Sequence, residues 1–339
     1  MSVDRTTLGD DLIVVEGDEV LGSSLAMTSH INLRVVIPGS SSVRGRVEAI
    51  EVLERAVGDA LSIFHDVERI CSRFIATSPL SVVNAEPTRQ HVVPELLFDA
   101  VTESFAAYLE TGARFDPRVL ANLVALGYST SLPFESSDVV TASGPRVHRS
   151  WTGSPWRFRG DRGSHSIHLD GFPIDLGGIG KGLAVRWASE CLAVTSDDFL
   201  VEAGGDCYCA GRSPDGEPWR VGIEDPRGGS DPVAVLSISD RGVATSSTRL
   251  RRWNSGTTPV HHLIDPRTGD PGGEGLVAVT TVDRDPARAE VWSKALFLEG
   301  ADGIAGLARE NDADALWIRS DGSVRYTESF ADIITWAAP

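Results

Sequence analysis

The chain has no run of about 18 apolar residues, the length a membrane-spanning helix needs. Its opening stretch, MSVDRTTLGDDLIVVEGDEVLG, is acidic and lacks a continuous apolar segment. Neither membrane insertion nor a secretory leader is expected from this pattern, and the expected compartment is the cytoplasm. Positive charge is scarce: 31 Lys and Arg stand against 48 Asp and Glu, a formal net charge of −17. That balance disfavours nucleic acid and anionic membrane surfaces as partners. Any anion-binding site must be made locally basic against an unfavourable global field. Cysteine is also sparse, and Cys71, Cys191, Cys207 and Cys209 lack zinc spacing. Cys207 and Cys209 share one face if they lie in a strand, and residues that close rarely form a disulfide. Reduced, partly buried thiols with no chemical role are expected, in keeping with a cytosolic setting.

What is present suffices for a core: 339 residues, 41% apolar and 23% charged. Residues 1–26 read as a polar lead-in. HINLRVVI reads as a strand, and PGSSSVRGR as a loop. From Val47 to Phe74, Ile50, Leu53, Ala56, Val57, Ala60, Leu61, Phe64 and Val67 recur at three and four, which predicts a long amphipathic helix. A second helix is predicted from Pro94 to Thr111, with Leu96, Val101, Phe105 and Leu109 on one side. After Gly127 the character changes, and the polar, turn-rich stretch to about residue 165 suits short strands and loops. Strands are then predicted in FLVEAGGDCYCAG, PWRVGIEDP, VAVLSISD, GVATSSTRL and GLVAVTTVD, followed by a helix from about Pro286 to Leu298. Asp321-Gly322 marks a closing hairpin. Irregular alternation of helices and strands gives an α+β class rather than a doubly wound parallel sheet.

IDLGGIGKGLAVRWASE, from Ile174 to Glu190, sets four glycines and Lys181 ahead of an apolar-periodic run. A helix start near Gly180 would present unpaired N–H groups, the positive dipole end and an ammonium group to an anion. The same glycines also suit a strand-to-helix turn that needs only close packing. The segment is not a P-loop, because Gly182 follows the lysine where Ser or Thr should hold magnesium. Three further clusters fall where strands should end. EAGGDCYCAG holds Gly205 and Asp206, and VATSSTRLRRW holds four hydroxyls followed by Arg249, Arg251 and Arg252. VHHLIDPRTGDP holds two histidines and an Asp-Pro turn. Each cluster alone fits a structural role as well as a chemical one.

In this order the blocks resemble the ApbE family, the FAD:protein FMN transferases. The blocks are AMTSHI, VERICSRFIATSPLSVVNA, TGARFDPRV, IDLGGIGKGLAV, AGGD, PWRVGIEDP, ATSS, HLIDPRTGDP and AEVWSKALFLEG, spanning about Met27 to Gly300. The resemblance implies layered mixed and antiparallel sheets with packed helices, a T-fold-like architecture. It implies a single FAD-binding domain over residues 27–339, in one lobe or two, with the change of character near 128–165 inside it. The implied reaction moves FMN from FAD to a Thr or Ser hydroxyl of a partner flavoprotein, releasing AMP. Asp175, Gly177 and Lys181 would lie against the dinucleotide, with Gly205 and Asp206 beside them. Arg114, Phe115 and Asp116 would hold its rings or sugar, and Met27 and the backbone at Leu263 would line the flavin or adenine pocket. Ser78, Asn84 and Asp265 fall in blocks that bind the cofactor. Thr245 and Ser246 would hydrogen-bond phosphate oxygens, and His262 would accept the hydroxyl proton.

The resemblance also implies Mg2+, bound by an aspartate and a threonine one helical turn apart and by a carbonyl near Gly178. This chain has Glu290 and Lys294 at those two positions. A lysine ammonium has no lone pair for a metal. Three readings remain: a solvated Glu-Lys pair on an exposed helix, Lys294 in place of the ion, or a metal shifted onto Glu290, Ser293 and Asp285. Glu202, Ser247 and Arg186 depart from the family pattern as well. FAD binding without transfer, and FAD hydrolysis, stand as alternative activities.

Overall fold

The computed structural model describes residues 5–8, 11–39, 42–130, 139–140 and 155–337. Ten strands form one sheet, each antiparallel to its neighbours. Their spatial order is Arg5–Leu8, Asp11–Glu16, Glu19–Ala26, Ser29–Val36, Phe199–Ala203, Asp206–Ala210, Arg241–Ser247, Leu276–Asp283, Asp314–Arg319 and Val324–Tyr326. Three helices, Val43–Cys71, Gly180–Leu192 and Pro286–Leu298, pack side by side on one face. Against the other face lies a small antiparallel sheet of Trp219–Ile223, Ala234–Ile238 and Ile334–Ala337. The class is α+β, as the irregular alternation implies.

Period-two burial decides which face each residue serves. Val201 and Ala203 point to the helices, whereas Cys207 and Cys209 join Val243, Ala278, Val282, Leu316 and Ile318 under the small sheet. All four cysteines are free thiols. The long helix buries Leu53, Ala56, Val57, Ala60, Leu61, Phe64 and Val67 of the set its periodicity predicts, and Ile50 is half-buried against the same core. The Glu95–Glu110 helix has the predicted extent, but it buries Leu97, Phe98, Val101 and Tyr108, and Leu109 is exposed. The change of character after Gly127 falls mostly outside the described residues. Within it, Val139–Val140, Arg159–Asp161 and Ser166–His168 are short strands.

The predicted lead-in is a correction. Arg5–Leu8, Asp11–Glu16 and Glu19–Ala26 are strands of the ten-stranded sheet, and Ile13, Val20 and Ala26 are buried in its main core. The apolar alternation is hidden because two inward positions are small or polar. Ser24 lies against the helix with its hydroxyl 3.1 Å from His65 Nε2. Gly22 lies so close to the helix that an added Cβ would stand 2.4 Å from Val57 Cγ1.

A helical valine has one strongly preferred rotamer, so Val57 cannot turn aside. Gly22→Ala should therefore destabilise the fold by about 1–3 kcal/mol, the usual range for overpacking. Thermal unfolding of Gly22→Ala, Val57→Ala and the double variant checks this: the double variant should recover most of the loss caused by the glycine substitution.

Candidate active site

A cavity of about 420 Å³ opens where the three helices end. Its wall is assembled from the end of the long helix, the Met27–Thr28 turn, the start of the Gly180–Leu192 helix, Lys294 and Leu298 of the Pro286–Leu298 helix, and the His262–Ile264 segment. Of the residues singled out from sequence, Met27, Arg114, Phe115, Asp116, Asp175, Gly177, Gly178, Lys181, His262, Leu263 and Lys294 line it. Met27 and Thr28 have φ of 54° and 57°. They form the two-residue turn of a hairpin in which Ala26 faces Ser29, and such turns require left-handed backbone.

At the base of the cavity stands an ionic cluster. Glu290, 1% exposed, shares its Oε1 between Lys294 Nζ at 3.1 Å and Lys181 Nζ at 3.6 Å. Its Oε2 accepts the Gly182 N–H at 2.7 Å. Lys181 also pairs with Asp206. Burial would raise the Glu290 pKa, but Lys294, Lys181 and the Gly182 amide bring it below the carboxylate range. Burial pulls Lys181 down to about 8, against the raising effect of Glu290.

The helix start at Gly180 is thus shared between two uses. One of its amides is capped by Glu290 and is not offered to a ligand. Gly182 serves helix packing, since a Cβ there would lie 2.6 Å from Ala287 Cα. Lys181, one residue earlier, faces the cavity.

His262 Nδ1 lies 3.3 Å from the Arg251 carbonyl. A carbonyl only accepts, so Nδ1 carries the proton and Nε2 holds the lone pair. Burial first, then the positive charges of Arg251 and Lys294, hold its pKa well below the usual imidazole range. The ring is therefore neutral around pH 7, with its lone pair at Nε2.

The cavity has a further wall that the sequence reading did not identify. Arg73 Nε donates to Asp175 Oδ2 at 2.5 Å. Its guanidinium lies 4.1 Å from the Phe74 ring centroid and 4.7 Å from that of Tyr128. Tyr128 in turn packs against Trp253, with ring centroids 5.4 Å apart and planes tilted by 45°. Arg73 sits inside the quoted block VERICSRF, but a lone arginine after a helix gives no signal of its own; its buried partner, Asp175, lies 102 residues away. Arg251, read as part of a basic cluster, lines the cavity, whereas Arg249 pairs with Glu224. The lining therefore carries Arg73, Arg114, Lys181, Arg251 and Lys294. Two of its carboxylates are already matched: Asp175 by Arg73, and Asp116 by Arg118 Nη2 at 2.6 Å.

Several residues expected to contact the ligand do not line this cavity. Thr245 points to the small-sheet face, where its hydroxyl meets Thr280 at 2.9 Å, because it is in register with Thr280 between inward Ala278 and Val282. Ser246 faces the helices, but its hydroxyl is 2.7 Å from Ser293 Oγ and is buried there. Ser78 caps the Pro79–Ala85 helix, accepting from Ser81 N at 3.0 Å. Asn84 clamps the backbone ahead of Asp175, with both Ile174 bonds at 2.8 Å. Gly205 turns the hairpin and donates to Glu202, while Asp206 is spent on Lys181 and on the Thr245 amide. Asp265 grips Arg267, which with Arg114 holds Glu299 between them at 2.9 and 2.8 Å. These residues shape the cavity rather than line it.

Residues 27–317 match the model of the ApbE family. The chain belongs to the ApbE family. It is 28% identical over 300 residues to the FAD:protein FMN transferase of Treponema pallidum, covering 82% of this chain and 80% of that protein. It is 26% identical over 277 residues to one from Klebsiella pneumoniae, covering 80% and 77%. The ApbE protein of Thermotoga maritima superposes with a TM-score of 0.74 at 22% identity, covering 93% of this chain and 99% of that one. The flavin transferase ApbE of Vibrio cholerae gives 0.71 at 20% identity, covering 94% and 100%.

The magnesium that ApbE resemblance implies does not fit this donor set. Both Glu290 oxygens already face cationic or N–H donors, and Lys294 offers no lone pair. The shifted site fails too. Ser293 Oγ donates to the Glu290 carbonyl, and Asp285 caps Ala287 while pairing with Arg186 at 2.6 Å. Among the described residues no group of three or more His, Cys, Asp and Glu could hold a metal ion. Nor is this a solvated surface pair, because Glu290 and Lys294 are 1% and 14% exposed.

An anion in this cavity favours charged Lys181 and so raises its pKa from about 8. FAD binding should then take up protons near pH 8, and affinity should fall as pH rises through it. Calorimetry at pH 8 in buffers of different ionisation enthalpy measures this; proton release on binding would contradict it.

Proposed function

We propose that this ApbE chain transfers FMN from FAD to a Thr or Ser hydroxyl of an acceptor flavoprotein, releasing AMP. The reading rests on family membership and on one observation: a cationic corner, an aromatic wall and a neutral imidazole open onto the same cavity. FAD matches that division, with a planar ring system at each end and an anionic diphosphate between. The aromatic side of Phe74 and Tyr128, with Phe115, Leu123 and Leu176, suits a ring system. Lys181, Lys294 and Arg251 suit the phosphates.

In the proposed step His262 Nε2 takes the proton of the acceptor hydroxyl. The hydroxyl oxygen forms a bond to the FMN-side phosphorus while the bond from that phosphorus to the bridging oxygen breaks. The bridging oxygen leaves with AMP, and its added charge is neutralised by the lysines. Lys181 and Lys294 need no reorganisation for this, because Glu290 already fixes them. Asp265, through Arg267 and Glu299, positions Arg114 at the rim. No helix among the described residues is long and apolar enough to cross a membrane. Four free thiols favour a reducing compartment, and we place the chain in the cytoplasm.

His262→Ala should lower transfer by about 10²–10⁴-fold, the range for loss of a general base. The assay is covalent flavin fluorescence on a purified acceptor, with AMP followed in parallel. Because His262 titrates well below its usual range, the rate should hold as pH falls through 6.5 and drop only at lower pH. AMP without labelled acceptor would replace transfer by FAD hydrolysis. Bound FAD with neither product would leave a flavin carrier, the alternative that the altered magnesium position favours.

A further inference from the structure

We propose that Lys181 and Lys294 form a metal-free clamp for the linked phosphates of a dinucleotide, with Glu290 as the buried anchor that sets their spacing. The proposal deepens the flavin reading and rests on it. Both ammonium groups meet one carboxylate oxygen, at 3.6 and 3.1 Å. The other oxygen is pinned by the Gly182 amide at 2.7 Å, so Glu290 has one orientation. Both lysines line the cavity while only 14% of each side chain is exposed. Their heads sit at the wall and their stems are packed. The Lys294 stem crosses Gly178, where an added Cβ would stand 3.4 Å from its Cδ. The glycine itself is demanded by the Phe115 ring, whose Cε2 an added Cβ would approach to 2.9 Å, while the lysine stem lies in ordinary contact beside it.

Charge bookkeeping agrees with an anionic guest. Lys181 and Lys294 balance Glu290 and Asp206, and Arg251 on the cavity wall adds a positive charge that acts on both lysines. Asp206 and Glu290 are 2% and 1% exposed, so the acids lie behind and the ammonium groups in front. An ammonium group donates up to three hydrogen bonds and serves phosphate as a point charge. A divalent cation would instead have to displace both lysines from the carboxylate they share. The two lysines therefore do by hydrogen bonding what a coordinated cation does by inner-sphere contact.

The test is FAD titration of the full chain, read by quenching of flavin fluorescence, in EDTA and in millimolar MgCl2. The dissociation constant should agree within about twofold between the two buffers, and calorimetry with MgCl2 alone should show no binding heat. Inorganic pyrophosphate should compete with FAD in EDTA. Lys294→Ala should weaken FAD binding about tenfold or more in EDTA, Lys294→Arg should retain most of it, and magnesium should not rescue the alanine variant. Glu290→Asp with Lys294→Thr should bind FAD only when MgCl2 is added. Weaker FAD binding in EDTA by the unaltered chain, or saturable magnesium heat, would overturn the clamp while leaving the flavin reading intact. No quenching in either buffer would overturn the flavin reading and the clamp with it. The unaltered chain decides the matter even if a variant fails to fold.

Discussion

A carboxylate buried between two ammonium groups is the constraint around which the rest of the site is arranged. An isolated ionised glutamate at this depth would cost several kcal/mol. Glu290 is tolerated because Lys181, Lys294 and the Gly182 amide satisfy both its oxygens. That solution ties the Gly180–Leu192 and Pro286–Leu298 helices together at one point. Asp206 extends the tie into the sheet through Lys181. The close approach of Gly182 to Ala287 then follows as the packing that this bond geometry requires.

The sheet divides the labour of its residues by parity. Residues pointing to the helix face, such as Ser246 and Asp206, meet the site's supporting groups. Their neighbours pointing the other way, such as Thr245 and Cys207, serve the second core. A cluster like VATSSTRL therefore cannot act as a unit, because adjacent hydroxyls leave the strand in opposite directions. Only beyond the strand does the chain turn Arg251 back toward the cavity.

How far the sequence could be read depended on the range of each interaction. The long helix was legible because its apolar set repeats locally, from Leu53 to Val67. The lysine-glycine corner and His262 were legible as motifs. The first three strands were not, since Gly22 and Ser24 occupy inward positions where the pattern needs large apolar groups. Arg73 was not, since what gives it meaning is Asp175 and Tyr128, both remote along the chain. Motif matching also named residues that the structure places behind the cavity wall. Asn84, Ser78 and Asp265 sit in blocks that resemble the family, yet their polar groups hold backbone or guanidinium groups. A block marks where a site is built without saying which of its members touch the guest.

The hairpin turn at Met27 and Thr28 places two side-chain-bearing residues in left-handed backbone, at φ of 54° and 57°. An Asn-Gly pair would relieve that local cost. It would also remove the thioether that reaches the Gly180 edge of the cavity, where a Cβ would meet Met27 Cε at 3.6 Å. A tighter hairpin and a lined cavity are thus opposed demands on the same two positions. Selection for thermal endurance alone would be expected to erode the wall here first.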